Sequence, residues 1–255
     1  MSQPPATVLT FDLETTGVNV NEDRIVQSYL ALIASDGTIV MEQEWLVDPG
    51  IPIPDGAAEV HGYRNDGPAD APLNYTPNAT PAEVVEQVTT AILGVTQANP
   101  NVPLVLYNAA FDLSMLEAER LRHAPHVPKL PLGETPEDIA QPPYVIDPMV
   151  IWKHVDKYRR GKRTLRAAAE AFGVQVDPER LHDARYDVWL TAMVAHKILS
   201  TTQATVQQLD RSQRAWRHEQ QTSLAAYFRK NGKIQEAATV STEWPRQTIK
   251  AGEQA

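Results

Sequence analysis

Three short stretches of this chain carry residues able to do metal and acid–base chemistry. Asp12 and Glu14 are two residues apart. On a strand that spacing puts both carboxylates on one face, while Phe11 and Leu13 point to the opposite layer. Asp112 follows Asn108, Ala109, Ala110 and Phe111 at a point where a strand gives way to a helix, which sets its carboxylate near the positive end of the helix dipole. His182 stands directly before another helix that Asp183 can cap, and Asp187 lies one turn inside it. Taken singly, each has an ordinary use: a polar strand end, dipole compensation, a cap, a solvated helix acid. Brought together, the four carboxylates would repel one another by roughly 4 kcal/mol for each pair at about 4 Å and an effective dielectric near 20. Bound divalent cations remove that repulsion, and an imidazole titrating near neutrality suits proton abstraction from water. The chain has no cysteine, so any metal is held by carboxylate or imidazole, and oxygen ligands favour hard cations.

Whether these residues meet depends on the elements that carry them. Residues 8–14, 25–34 and 38–47 read as strands, the last two joined by the turn pair Asp36-Gly37, so the chain opens with an antiparallel meander. The Pro- and Gly-rich connection over 48–78, broken at His61-Gly62, reads as irregular. Thr80, Pro81 and Glu83 supply a cap, a first-turn proline and a reciprocal acid, which start a helix running to about residue 95. A strand over 103–107, a helix over 111–123, a Pro-rich loop over 124–143, a strand over 144–146 and a helix near Met149 follow. Thr164 caps a short helix ending at Gly173, helices cover 183–199 and 205–230, and the tail beyond Gly232 reads as irregular. A right-handed crossover lays the fourth strand parallel beside the first, bringing Asp12, Glu14 and Asp112 to one sheet end. The expectation is an α/β fold with a mixed five-stranded sheet, three antiparallel strands then two parallel, flanked by helices on both faces. Residues 1–200 form the main domain, and 201–255 carry a last helix and tail packed on that domain or on a partner.

Jointly the three stretches resemble the motifs of the DEDDh exonuclease superfamily, whose fold is ribonuclease H-like. Asp-Leu-Glu-Thr-Thr-Gly at 12–17 is similar to the first motif, Asn108 through Asp112 to the second, and His182-x-Ala-x-x-Asp187 to the third. The tyrosine subclass would have Tyr at position 183, where this chain has Asp183, with His182 one place earlier; that selects the histidine subclass. Beyond the motifs the chain is similar to the DNA polymerase III epsilon-like exonucleases of high-GC bacteria or their phages. The resemblance implies hydrolysis from the 3′ end of DNA in replication or repair, releasing nucleoside 5′-monophosphates. It implies two Mg²⁺ or Mn²⁺ ions held by Asp12, Glu14, Asp112 and Asp187, with His182 as general base. It also places the terminal nucleotide against Thr15, Thr16, His61, Asn108 and Phe111, although Phe111 suits plain core packing equally.

Charge and composition bound the remaining choices. A net charge of -9 argues against a protein that coats nucleic acid non-specifically, but not against one that grips a single strand end. Residues 153–166 run the other way, with seven Lys or Arg against one Asp, and Arg159, Arg160, Lys162 and Arg163 form their centre. Such a segment is able to draw in a phosphate backbone, and a solvated surface loop is the simpler alternative. The expected partner is a single-stranded or frayed DNA 3′ end, with RNA as the alternative. A polymerase or a sliding clamp is a further candidate, the clamp because residues 221–228 resemble a clamp-binding box. On the same helix Leu209, Trp216, Leu224 and Tyr227 recur at nearly helical spacing and are expected to pack on the core or on a second subunit. No membrane span or leader is read, so a cytoplasmic location is expected. The rival readings are an exoribonuclease, a catalytically silent nucleic-acid-binding module and an endonuclease of the same sheet type.

Overall fold

The computed structural model describes residues 4–66, 73–133, 135 and 140–249. Parts of the two expected Pro-rich connections, and the end of the tail, lie outside the described residues. Strand β1 (Thr7–Thr15) pairs antiparallel with β2 (Ile25–Ala34), and β2 with β3 (Ile39–Leu46). On the other side β1 pairs in parallel with β4 (Leu104–Val105), which pairs in parallel with β5 (Val145–Ile146). The sheet order is β3-β2-β1-β4-β5, the expected mixed five-stranded sheet.

Alternation along β1 divides the core into two layers. Leu9, Phe11 and Leu13 pack against α2 (Pro81–Ala98) and α3 (Ala109–His123). Val8 packs against the other layer, built from α4 (Pro148–Val155), α5 (Leu165–Ala171) and α6 (Ala184–Thr201). Asp12 and Glu14 share the parity of Val8 and therefore belong to the α6 side. The capping box at α2 is present as expected, with Thr80 and Glu83 exchanging hydrogen bonds.

Two short helices depart from the sequence reading. Asp55–His61 forms a helix, α1, inside the first irregular connection, and Ile234–Thr239 forms α8 in the tail. Both are too short to show a helical hydrophobic period, and α1 starts after Pro54 with no side-chain cap. Helix α7 (Val206–Lys230) also differs in how it docks. Leu209 is buried and Trp216 half-buried, whereas Leu224 and Tyr227 are exposed, because the distal half of the helix runs past the core.

The proximal half of α7 closes the sheet edge. Strand β5 has a neighbour on one side only, which leaves its outer amides and carbonyls in need of partners. Asp210 accepts from the Val145 N–H at 2.9 Å, the Gln213 amide donates to the Val145 carbonyl at 3.0 Å, and Gln213 Oε1 accepts from the Asp147 N–H at 2.7 Å. Two helix side chains thus stand in for a sixth strand. Replacing Gln213 with Leu leaves two buried backbone groups unpaired, and we expect urea unfolding to show a loss of about 2 kcal/mol.

Candidate active site

The sheet brings the acids together in the order the elements require. Parallel pairing sets Thr10 level with Val105, so the last residues of β1 lie beside the turn that leads from β4 into α3. Asn108 takes a left-handed conformation there (φ 68°), which turns the chain sharply into α3 and places Asp112 in its first turn. Asp112 is 4 % exposed, and its Oδ1 accepts from the Leu13 N–H at 3.2 Å, a bond that locks it onto β1 between Asp12 and Glu14. From the other layer His182, also left-handed (φ 69°), leads into α6, with Asp183 as N-cap accepting from the Tyr186 N–H at 3.1 Å. Asp187 Oδ2 accepts from the His182 N–H at 3.3 Å, and its Oδ1 is buried with no hydrogen-bond partner. The His182 side chain is exposed at the rim.

The charges of these carboxylates act on one another. Burial and the Asp187 charge push Asp12 up to about 8. Glu14 is pushed up to about 9 by burial and by Asp12, Asp187 and Asp183, in that order. Asp112 is held well above the carboxylate range, first by burial and then by Asp12. Asp187 rises to about 6 through burial, with His182 opposing the shift. Among the described residues no three acids or histidines are already arranged as a metal-binding group. The donor set nonetheless fits a hard cation: four oxygen-bearing side chains, one with a buried oxygen that nothing in the protein satisfies.

The residues singled out for substrate contact are distributed around this cluster. Thr15 and Thr16 shape the turn after β1: Thr15 donates to the Gly17 carbonyl at 2.7 Å, and Thr16 donates to Asp23 at 3.0 Å while accepting from the Arg24 N–H. A Cβ at Gly17 would lie 2.5 Å from the Asp23 carboxylate, which explains a glycine there. His61, at the end of α1, reaches the same turn. Its Nδ1 accepts from the Tyr63 N–H at 3.1 Å, so the proton sits on Nε2, which donates to the Thr15 carbonyl at 3.3 Å. Burial lowers its pKa, which keeps the ring neutral. Phe111 is half-buried against the core layer of α2 and α3. Arg159, Arg160 and Lys162 are exposed on the loop after α4, and Arg163 lies 4.4 Å over the Trp152 ring. Tyr107 ties this loop to the second motif, its hydroxyl lying 2.9 Å from the Arg163 carbonyl and 3.0 Å from that of Thr164.

Two contributors were missed in the sequence. Burial, and after it the charges of Glu44, Glu14 and Asp183 in that order, push the Tyr63 hydroxyl up to about 12, which places Tyr63 near the acids. With His61 and Tyr75, at ring separations of 5.5 and 5.0 Å, it forms an aromatic wall beside the acids. Asp147 is 1 % exposed and accepts from the N–H groups of Asn108 at 3.2 Å and Ala109 at 3.0 Å while also capping α4. It pins the turn that aims Asp112. Tyr63 lies in a connection read as irregular, and Asp147 is recognisable only as a cap, so neither carries a sequence signal for its longer-range role.

The raised carboxyl values set a pH dependence for the metal-free protein. A group whose folded pKa exceeds its unfolded value of 3.8 or 4.5 adds stability below that value, and the contribution is lost as pH rises through the folded pKa. The loss therefore spreads between about pH 4 and pH 9. In EDTA, Asp12→Asn should show a smaller fall in melting temperature from pH 5 to pH 9 than wild type, measured by differential scanning fluorimetry. Parallel curves would show that Asp12 is not strained by its neighbours.

Comparison with known proteins agrees with this fold. The exonuclease family model, of the RNase T type, matches residues 9–195. No curated protein matches the chain. Among solved structures, E. coli exonuclease I in complex with a dT13 oligonucleotide is 19 % identical with a TM-score of 0.53, over 78 % of this chain and 42 % of that one. Its zinc-bound complex with single-stranded DNA is 18 % identical with a TM-score of 0.52, over 76 % and 40 % of the two chains. Exonuclease X in complex with 5′ overhanging duplex DNA is 22 % identical with a TM-score of 0.51, over 81 % of this chain and 99 % of that one. The chain thus spans about two fifths of exonuclease I and nearly all of exonuclease X in the matched regions. No helix among the described residues is long and apolar enough to cross a membrane. With a mixed ribonuclease H-like sheet and a match to the exonuclease family model over most of its length, this chain belongs to the DEDDh exonuclease superfamily.

Proposed function

We propose that the protein is a metal-dependent 3′–5′ exonuclease that shortens single-stranded DNA one nucleoside 5′-monophosphate at a time. The observation that carries this reading is the convergence of Asp12, Glu14, Asp112 and Asp187, drawn from β1, α3 and α6, with His182 at the rim. Two Mg²⁺ or Mn²⁺ ions bound there would polarise the scissile phosphate and lower the pKa of water. Asp12, Glu14 and Asp187 would hold both, with Asp112 acting through water. His182 accepts a proton from the attacking water as the oxygen bonds to phosphorus and the bond to the 3′ oxygen breaks. The shortened strand keeps a 3′ hydroxyl, and the released nucleotide carries the phosphate.

The surroundings suit a strand end. The rings of His61, Tyr63 and Tyr75 offer stacking surface beside the acids. The hydroxyls of Thr15 and Thr16 are engaged in their own turn, so contact with substrate there falls to the backbone. The basic loop supplies phosphate contacts to an otherwise acidic chain. The solved complexes of exonuclease I with single-stranded oligonucleotides make single-stranded DNA the first substrate to try. A role in proofreading or repair, with a polymerase or clamp as partner, belongs to the same reading.

The decisive assay follows a 5′-labelled strand with Mg²⁺ or Mn²⁺, on matched DNA and RNA. We expect a ladder shortening from the 3′ end, faster on DNA, and His182→Ala to lower turnover about 100-fold with little change in strand affinity. Loss of the label as a mononucleotide, cleavage of a circular strand, or near-normal turnover by that variant would reject the corresponding part of the assignment.

A further inference from the structure

A cleft of about 410 Å³ lies between the basic loop and the middle of α7, outside the carboxylate cluster. One wall carries Lys153, Arg159 and Arg163; the other carries Trp216 and Gln220. His154 stacks on Trp216 with ring centroids 4.0 Å apart and planes 11° from parallel. Two atoms of lining residues have no hydrogen-bond partner although they are shielded from solvent: Arg163 Nη1, a donor, and Gln220 Oε1, an acceptor. An unsatisfied cationic donor, an unsatisfied amide oxygen and an aromatic pair together match a phosphate joined to a nucleobase. Arg163 is held in place through its other nitrogen, Nη2, which donates to the Asp156 carbonyl, and by the Trp152 ring beneath it, while the ion pairs of Lys157 with Glu219 at 2.6 Å and Arg159 with Asp156 at 3.8 Å are exposed and exchange readily for a phosphate.

The cleft is also mechanically joined to the acids. Tyr107, next to Asn108, bonds to the loop through Arg163 and Thr164, and Asp147 pins Asn108 and Ala109. The helix that forms the second wall lies beyond residues 9–195, the part matched by the exonuclease family, so this surface is something the chain adds to the shared domain. We propose that the cleft is a nucleotide subsite that takes one internal unit of the substrate strand, upstream of the bond being cleaved, with the base against His154 and Trp216 and the phosphate on Arg163 and Lys153. This rests on the proposed nuclease substrate and extends it from the strand end to a length preference.

The test measures binding by fluorescence anisotropy with calcium in place of magnesium, using labelled single-stranded DNA of three and ten nucleotides. Wild type should bind the longer strand about tenfold more tightly. Ser223→Trp, a bulky side chain on the exposed lip of the cleft, should bind the two lengths alike. Glu219→Gln, which removes an acid from the lining and releases Lys157, should bind the longer strand about threefold more tightly, with a steeper salt dependence. This second variant alters only an exposed side chain, so it tests the subsite even if the tryptophan variant fails to fold. The subsite is overturned if wild type shows no length preference, if Ser223→Trp keeps it, or if Glu219→Gln weakens binding. If wild type binds strands with that preference but hydrolyses none, the proposed catalytic function fails alone. Hydrolysis with the preference unchanged in Ser223→Trp removes the subsite alone.

Discussion

Four carboxylates facing one another in a half-buried place are the constraint on which the rest of this structure depends. Left free, such side chains would turn outward to water, since each close pair costs several kcal/mol at low effective dielectric. Here the geometry restrains them. Asp12 and Glu14 are fixed by antiparallel pairing with Tyr29 and Gln27 of β2, just past the point where β1 pairs with β4 at Leu9 and Thr10. Asp112 is held by the Leu13 amide, and Asp187 by the His182 amide. The strain is borne by two packed layers and by left-handed turns at Asn108 and His182, where few side chains other than glycine settle without support. A fold that holds like charges together in this way is prepared for counter-charge of the opposite sign and high density.

The periphery is organised to keep that frame rigid. Strand β5 is only two residues long in the ladder, and its outer edge would be open to water without α7. Asp210 and Gln213 complete its hydrogen bonding, and the Asp147 that follows β5 anchors the turn before α3. A chain of polar contacts therefore runs from a helix outside the matched family region to the second acidic motif. The tail continues the theme: Arg246 pairs with Glu117 of α3 at 3.3 Å in a buried setting, and the Gln247 N–H donates to Ser114 at 2.9 Å. These contacts stiffen the helix that carries Asp112.

Much of this was legible from residues alone, and the limits have physical causes. Alternation at Asp12 and Glu14, the capping box at Thr80 and the cap at Asp183 are local patterns, and local patterns read directly. The strand order followed from handedness of the crossover, which needs no knowledge of side chains. What escaped were features whose cause lies far away in sequence. Helix α1 has seven residues, none buried, so it shows no apolar stripe, yet it presents His61 to the Thr15 carbonyl. Tyr63 and Asp147 are ordinary in their own segments and acquire meaning only when Glu14 and Asn108 arrive beside them. The distal half of α7 misled for the opposite reason, since an apolar recurrence at Leu224 and Tyr227 stays exposed where the core ends.

The central claim, that acids from three distant segments form one cation site, is most directly examined by isothermal titration calorimetry with Mn²⁺ on wild type and on Asp187→Asn. The account predicts two ions bound per wild-type chain, release of protons that grows toward acidic pH, and loss of at least one ion in the variant. Equal binding by the two proteins, or none by either, would contradict it.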